Sequence, residues 1–533
     1  MLPLALGVAT ALGIVIGAHL ASPTSAANEI NDYNKFDYVL SYVTNNYVDP
    51  VKDDRMIENA IEGMLDKLDP HSVYISSEDL KRMNEPLKGN FEGIGIEFNI
   101  LKDTIVVVSA ISGGPSEAVG LRAGDKIVTV NGENVAGIGI DNQGVIERLR
   151  GEKGSVVEVG VRRRGHQELL KFTITRDKIP LYSIVAKHMV DDNTGYVKVT
   201  RFSATTFDEF SQAMEKLREE GLENLILDLR GNPGGYLEAA IKISDEFLGG
   251  EKQIVYTSGR TRPRNTYNAS REGHFEEGKL VILIDEGSAS ASEIVSGAVQ
   301  DWDRGLVVGR RSFGKGLVQE PFKFPDGSGL RLTVARYYTP AGRSIQRPYD
   351  QGSKAYYQDI SERLKTGELT SRDSVDFPDS LRYTTDNGRV VYGGGGIMPD
   401  VFVPLDTSHG SPFFDALTRT GALNQFALAY VDDHRQALQS RYAEAAQFAR
   451  GYQVGNDLIS ELRHFAEKQQ ASYPPFSEDS THRRLRHNLK ALLARQLYGT
   501  DGFYRIFNQQ NPTFQKAVEL MDSSKPWAML SEH

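Results

Sequence analysis

The 533-residue sequence contains no cysteine, which excludes disulfides, a thiol nucleophile and cysteine-ligated zinc. Such a composition suits an envelope compartment, where stray thiols oxidise, although many cytosolic proteins share it. A basic balance is also absent. The 61 Lys and Arg against 71 Asp and Glu leave a net charge of −10, so the surface as a whole is not built for nucleic acid and no such partner is expected. Residues 2–21 (LPLALGVATALGIVIGAHLA) carry neither acidic nor basic groups except His19. About 20 apolar residues can cross a bilayer as a helix, and small residues follow at Ser22, Thr24, Ser25, Ala26 and Ala27. Residues 1–27 therefore read as an export signal or an uncleaved membrane anchor. The basic residue that usually precedes such a run is missing, so the sequence leaves cleavage open. A core helix buried on every face is the alternative.

Hydrophobic residues at 40% and charged residues at 25% are ordinary for a soluble globular chain. The length exceeds one core and implies several domains. Residues 28–87 read as an N-terminal helical region, with Phe36, Val39, Leu40 and Val43 and then Ile57, Ala60, Ile61, Met64 and Leu65 at helical spacing. Asp49-Pro50 breaks the two segments. Residues 88–177 change to short β-like runs separated by Gly-rich turns, with two short helices, and form one small module. From 178 to 410 buried strands such as Leu225–Leu229 and Val281–Ile284 alternate with helices such as Phe207–Glu220, which indicates an α/β domain. Residues 350–395 within it are polar and read as irregular. The segment 411–533 reads as a helical extension, and 482–498 within it has apolar and basic faces.

Gly287-Ser288-Ala289-Ser290-Ala291-Ser292-Glu293 follows the apolar strand and opens a helix. A serine on such a turn is exposed beside free N–H groups and the positive end of the helix dipole, which can stabilise an oxyanion. Taken alone, the three serines read first as N-cap residues. A nucleophilic serine needs a base. No histidine lies between His274 and His409, although a distant one stays open because triads assemble in space. Lys315, in Phe313-Gly314-Lys315-Gly316, is the next candidate. Its ordinary pKa is about 10.4, so acting near pH 7–8 requires burial worth about 4 kcal/mol. Segment 309–319 holds no carboxylate that would oppose this. Gln319, four residues on, falls on the same face of a strand and could hold the amine without charging it. Leu229-Arg230-Gly231-Asn232-Pro233-Gly234-Gly235 follows another apolar strand, and Gly231 could present a second oxyanion N–H. Gly309–Lys315 also has the spacing of a phosphate-binding loop, but Gly316 replaces the Ser or Thr that would bind magnesium and no helix pattern follows.

Together these segments resemble the carboxy-terminal processing proteases, the tail-specific peptidases of family S41. The resemblance covers about residues 30–345. It rests on Gly-Ser-Ala-Ser-Ala-Ser-Glu at 287–293, Phe-Gly-Lys-Gly-x-Val-Gln at 313–319, the 25-residue spacing from Ser290 to Lys315, the Arg230–Gly235 turn, Leu68–Ser72 and Tyr338–Ile345. It implies a ClpP/crotonase-like α/β protease core, with Ser290 as nucleophile, Lys315 as base and Gln319 as its positioning partner. Gly231 and Ala291 are the implied oxyanion donors. Residues 88–177 become an inserted PDZ domain, whose Gly93-Ile94-Gly95-Ile96 would bind a substrate carboxylate. The implied partners are proteins or peptides with exposed C-termini. No metal or cofactor is implied, and a bacterial envelope location is expected: periplasmic, secreted or anchored through residues 2–21. A non-catalytic binding scaffold is the rival reading. Shorter family members end soon after a segment like Gly396–Asp400, so the tail is extra. Adaptor docking or self-association is expected of it, against a simple packing appendage.

Overall fold

The computed structural model describes residues 32–51, 53–111, 113–163, 165–270, 272–375, 377–407, 412–468, 481–528 and 530. Residues 2–21 lie outside this set, and among the described residues no helix is long and apolar enough to cross a membrane. The chain divides after Leu68 into two units. The first contains helices Asp32–Asn46 and Asp53–Leu65, on either side of the Asp49-Pro50 break.

The second unit is organised by a six-stranded sheet. Its strands run in the order Ile184–Met189, Thr194–Val199, Asn224–Asp228, Leu280–Ile284, Leu306–Gly309 and Val401–Phe402. The first pair is antiparallel and the rest are parallel. Leu280–Ile284 is apolar at every position because both of its faces are covered. Leu280, Ile282 and Ile284 pack with Phe210, Ile243 and Val295 from helices Thr206–Glu219, Leu237–Asp245 and Ala291–Asp301. Val281 and Leu283 meet Phe514, Ala517, Leu520 and Met521 on the opposite face. Those four residues belong to helix Pro512–Asp522, so the end of the extension supplies a layer of this sandwich.

The other described residues of the extension are mainly helical, as its periodicity predicts, with a core that includes Phe413, Leu417, Phe448, Leu462, Leu489 and Leu493. Arg483 and Arg484 are exposed, whereas Arg495 pairs with Glu97 at 2.6 Å. Residues 96–175 form an antiparallel sheet in the order Ile96–Ile100, Ile105–Ala110, Lys126–Val130, Val156–Arg162 and Leu170–Thr175, with helix Asn142–Leu149. A separate ribbon pairs Asn90–Gly93 with Asp177–Pro180. Leu428 of the extension packs on Val106 and Val108 of this module.

Helix Ser353–Lys365 lies where the sequence reads as irregular. Its buried residues are Tyr356 and an arginine instead of an apolar stripe. Arg363 is buried, pairs with Asp359 at 2.7 Å and donates to the Ser312 carbonyl at 2.8 Å. Hydrophobic periodicity cannot detect a helix anchored by a buried cation.

Candidate active site

The two turns singled out by sequence follow adjacent parallel strands at their carboxyl ends, where open α/β sheets place their sites. Side chains and backbone stitch them together. Ser288 Oγ donates to the Leu229 carbonyl at 2.8 Å, and Ser292 Oγ to that of Asn232 at 2.9 Å. The Ala289 N–H also donates to the Asn232 carbonyl, at 2.9 Å. Two of the motif's serines are therefore structural, and Ser290 between them is not consumed in this way. It sits at the N-cap of helix Ala291–Asp301 with φ 55° and ψ −111°. A non-glycine residue in such a conformation costs about 1–3 kcal/mol and persists only where its surroundings fix it.

Glu293 supplies much of that fixation. Its carboxylate is fully buried and accepts the Ser290 N–H at 2.7 Å. It also accepts the Ser312 hydroxyl at 2.5 Å and the N–H groups of Gly314 at 2.7 Å and Lys315 at 2.9 Å. Burial pushes the carboxyl up, and these four donors oppose the rise. One side chain thus ties the Ser290 turn to the Lys315 loop. The Ser-x-x-Glu spacing at 290–293 is a capping-box signal that could have disclosed half of this role, but the long-range half is not local.

Lys315 is partly buried, and its amine is lowered to about 8, chiefly by burial and then by the Arg331 charge, while Glu293 and Asp69 pull upward. The Asp69–Ser72 turn lies beside it. Asp69 accepts the His71 N–H at 2.8 Å, the Ser72 hydroxyl at 2.5 Å and the Thr333 hydroxyl at 3.0 Å. The His71 ring is lowered to about 4 by burial and by Lys315, so it is neutral near pH 7. Gln319 is not on the amine. Its Nε2 donates to Thr333 Oγ1 at 3.3 Å, and among the described residues no hydrogen bond joins it to Lys315. The physical reason is that Lys315 precedes the strand, which begins at Leu317, so strand alternation does not relate it to Gln319, and Gln319 lies directly opposite Thr333.

Gly231 also departs from expectation. Its N–H is donated to Asp285 Oδ1 at 2.7 Å and is not free for an oxyanion. Gly234 is the glycine that meets Ser290. A Cβ there would lie 2.8 Å from Ser290 Cβ and 2.9 Å from the Ala291 nitrogen. The Gly234 carbonyl and Tyr236 N–H bond to Phe202, which leaves the Gly235 N–H without a partner among the described residues. The Ala291 N–H is likewise unpartnered among them. The Gly235 N–H is thus open where that of Gly231 is not. Gly231→Ala meets no atom within 4 Å and should keep activity within about fivefold, losing only the cost of its positive φ. Gly235→Ala places a Cβ 2.0 Å from the Phe202 oxygen and should lose at least 100-fold in activity.

In the small module, Gly93 pairs with Asp177 and Ile94 is buried, with its carbonyl accepting the Ser116 N–H at 3.1 Å and hydroxyl at 2.6 Å. Gly95 has φ +74°, and Ile96 opens the terminal strand of the sheet. Among the described residues, that strand pairs with Ile105–Ala110 on one edge only.

Residues 193–351 match Peptidase family S41. A carboxy-terminal-processing protease of Bartonella bacilliformis is 36% identical over 373 residues, spanning 68% of this chain and 85% of that protein. The chain belongs to the carboxy-terminal processing proteases. This S41 peptidase is also 33% identical to the carboxy-terminal processing protease CtpA of Bacillus subtilis, over 64% of this chain and 72% of that one. Its residues 93–174 match the PDZ domain, 17–79 the activating protease CtpB N-terminal domain, and 413–499 a family of unknown function. Among solved structures, a photosystem II D1 C-terminal processing protease is similar at 28% identity and TM-score 0.36, covering 69% of this chain and 86% of that one.

Proposed function

We propose that this peptidase is a serine endopeptidase that cleaves with Ser290 and Lys315 and selects substrates through their C-termini at the PDZ domain. The observation that carries this reading is the Glu293 carboxylate, which binds the N–H groups of both Ser290 and Lys315. Neutral Lys315 takes the Ser290 hydroxyl proton as Oγ attacks the peptide carbonyl. The N–H groups of Ala291 and Gly235 receive the oxyanion. The lysine ammonium then protonates the leaving amine, and the neutral amine activates water for deacylation. Gln319 acts through Thr333 and Asp69, at the base of the lysine site.

A peptide adds to the free edge of Ile96–Ile100, with its carboxylate on the backbone of Gly93–Ile96. An unstructured peptide with an apolar free C-terminus should be cleaved at least tenfold more efficiently than its C-terminal amide, measured as kcat/KM. Equal cleavage of acid and amide would remove C-terminal selection from the account. Bacterial relatives and the apolar stretch at 2–21 support an envelope location for this activity.

A further inference from the structure

Glu293 binds the N–H side of the catalytic pair, and a second buried residue binds the carbonyl side. Tyr337 lies in strand Gly329–Tyr338 and is 1% exposed. Its phenolic oxygen is 2.6 Å from the Lys315 carbonyl and 3.1 Å from the Ser290 carbonyl, so one O–H is shared between them. The Tyr337 backbone N–H adds a bond to the Gly316 carbonyl at 3.0 Å. The Ser290 carbonyl also caps the first helical turn, accepting the N–H groups of Glu293 at 2.8 Å and Ile294 at 3.0 Å. Ser290 and Lys315 thus each have their N–H on one side chain, Glu293, and their carbonyl on another, Tyr337.

We propose that Tyr337 is a positioning residue that clamps the backbones of Ser290 and Lys315 in the geometry needed for proton transfer. This rests on the serine–lysine reading above. A residue strained at φ 55° relaxes unless both of its peptide units are held. Helix formation fixes the Ser290 carbonyl relative to the helix but not relative to Lys315. Tyr337 supplies that second constraint, because the same phenol reaches the lysine loop. Burial pushes this phenol well above its ordinary value, so it remains a donor through the working pH range. The charged and titratable groups facing the Lys315 amine are Glu293 from the helix, Arg331 from the strand that carries Tyr337, and Asp69 and His71 from the preceding turn. Loosening the lysine loop admits water to the amine and weakens the burial that lowers its pKa.

The test uses the full chain in two assays: hydrolysis of a peptide with an apolar C-terminus, and labelling of Ser290 by a fluorophosphonate as a function of pH. Tyr337→Phe should lower kcat by about 10–100-fold with KM within about twofold. It should also move the half-maximal pH of labelling upward. Lost folding alone would scale the rate at every pH and leave that midpoint in place, so a poorly folded variant is still decided by the labelling midpoint of its folded fraction. Tyr338→Phe, next in the strand with its ring stacked on Tyr256, should match wild type in both assays. Wild-type kcat and an unmoved midpoint in Tyr337→Phe, with Ser290→Ala inactive, would overturn the clamp alone. Wild-type cleavage by Ser290→Ala would overturn the serine–lysine reading beneath it.

Discussion

Replacing Lys315 by Met should reduce peptide hydrolysis by about 10³–10⁴-fold while making the protein more stable near pH 7. The two effects have one cause. A lysine held at about 8 instead of 10.5 is a buried cation that the fold disfavours. Below pH 8 it is charged in both folded and unfolded chains, and the burial penalty is fully present. Between pH 8 and 10.5 the unfolded chain keeps a proton that the folded chain has released, so wild-type stability rises with pH through that window. Methionine has a similar reach and no charge. Its advantage should therefore be about 1–3 kcal/mol below pH 8 and fade above it. Denaturant melts of both proteins at pH 7 and pH 10 check this. A Lys315→Met variant that is inactive and less stable at pH 7 would mean that the amine has favourable partners and is not held as a neutral base.

Removing Glu293 should be costly in the opposite sense. Glu293→Ala leaves three N–H groups and one hydroxyl without their acceptor in a fully buried place. Each unsatisfied buried donor costs about 1–3 kcal/mol, and relaxation recovers part of it, so a loss of about 3–5 kcal/mol is expected. Activity should fall at least 100-fold, because Ser290 and the Lys315 loop lose their common anchor. Glu293→Gln keeps one acceptor oxygen and should cost less, about 1–2 kcal/mol. The pH dependence separates charge from shape. Burial raises the Glu293 carboxyl, so its stabilising contribution is greatest when it is protonated and declines as pH rises through its titration. The stability gap between wild type and Glu293→Gln should narrow from pH 4.5 to pH 8 in chemical denaturation.

Much of the site was legible because its chemistry is written in contiguous motifs. Ser290 on a strand-to-helix turn reads alone as an N-cap, and its spacing to Lys315 between glycines made the resemblance. What stayed hidden was set by three-dimensional detail. The Arg230–Gly235 turn holds several glycines, and only the hydrogen bond from Gly231 to Asp285 and the approach of Gly234 to Ser290 show which end faces the serine turn. Gln319 follows strand alternation on paper, but Lys315 lies before the strand begins, and Gln319 pairs with Thr333 across it. Tyr337 and Thr333 look like ordinary strand residues, since their roles depend on partners far away in sequence. The fold shows the same division. Leu280–Ile284 announces a strand covered on both faces, but not that helix Pro512–Asp522, over 200 residues later, provides one of the covers. Helix Ser353–Lys365 was missed because Arg363, not a hydrophobic stripe, anchors it.

The central claim is that Ser290 is made nucleophilic by a neutral Lys315. Mapping a fluorophosphonate adduct by mass spectrometry across pH 6–10 tests it most directly. The adduct should fall on Ser290, with a labelling rate that rises to half its maximum near pH 8, the value at which the lysine loses its proton. It should be absent in Ser290→Ala and slowed at least 1000-fold in Lys315→Met. An adduct on another residue, or labelling of Ser290 that proceeds at the same rate without Lys315, would contradict the account.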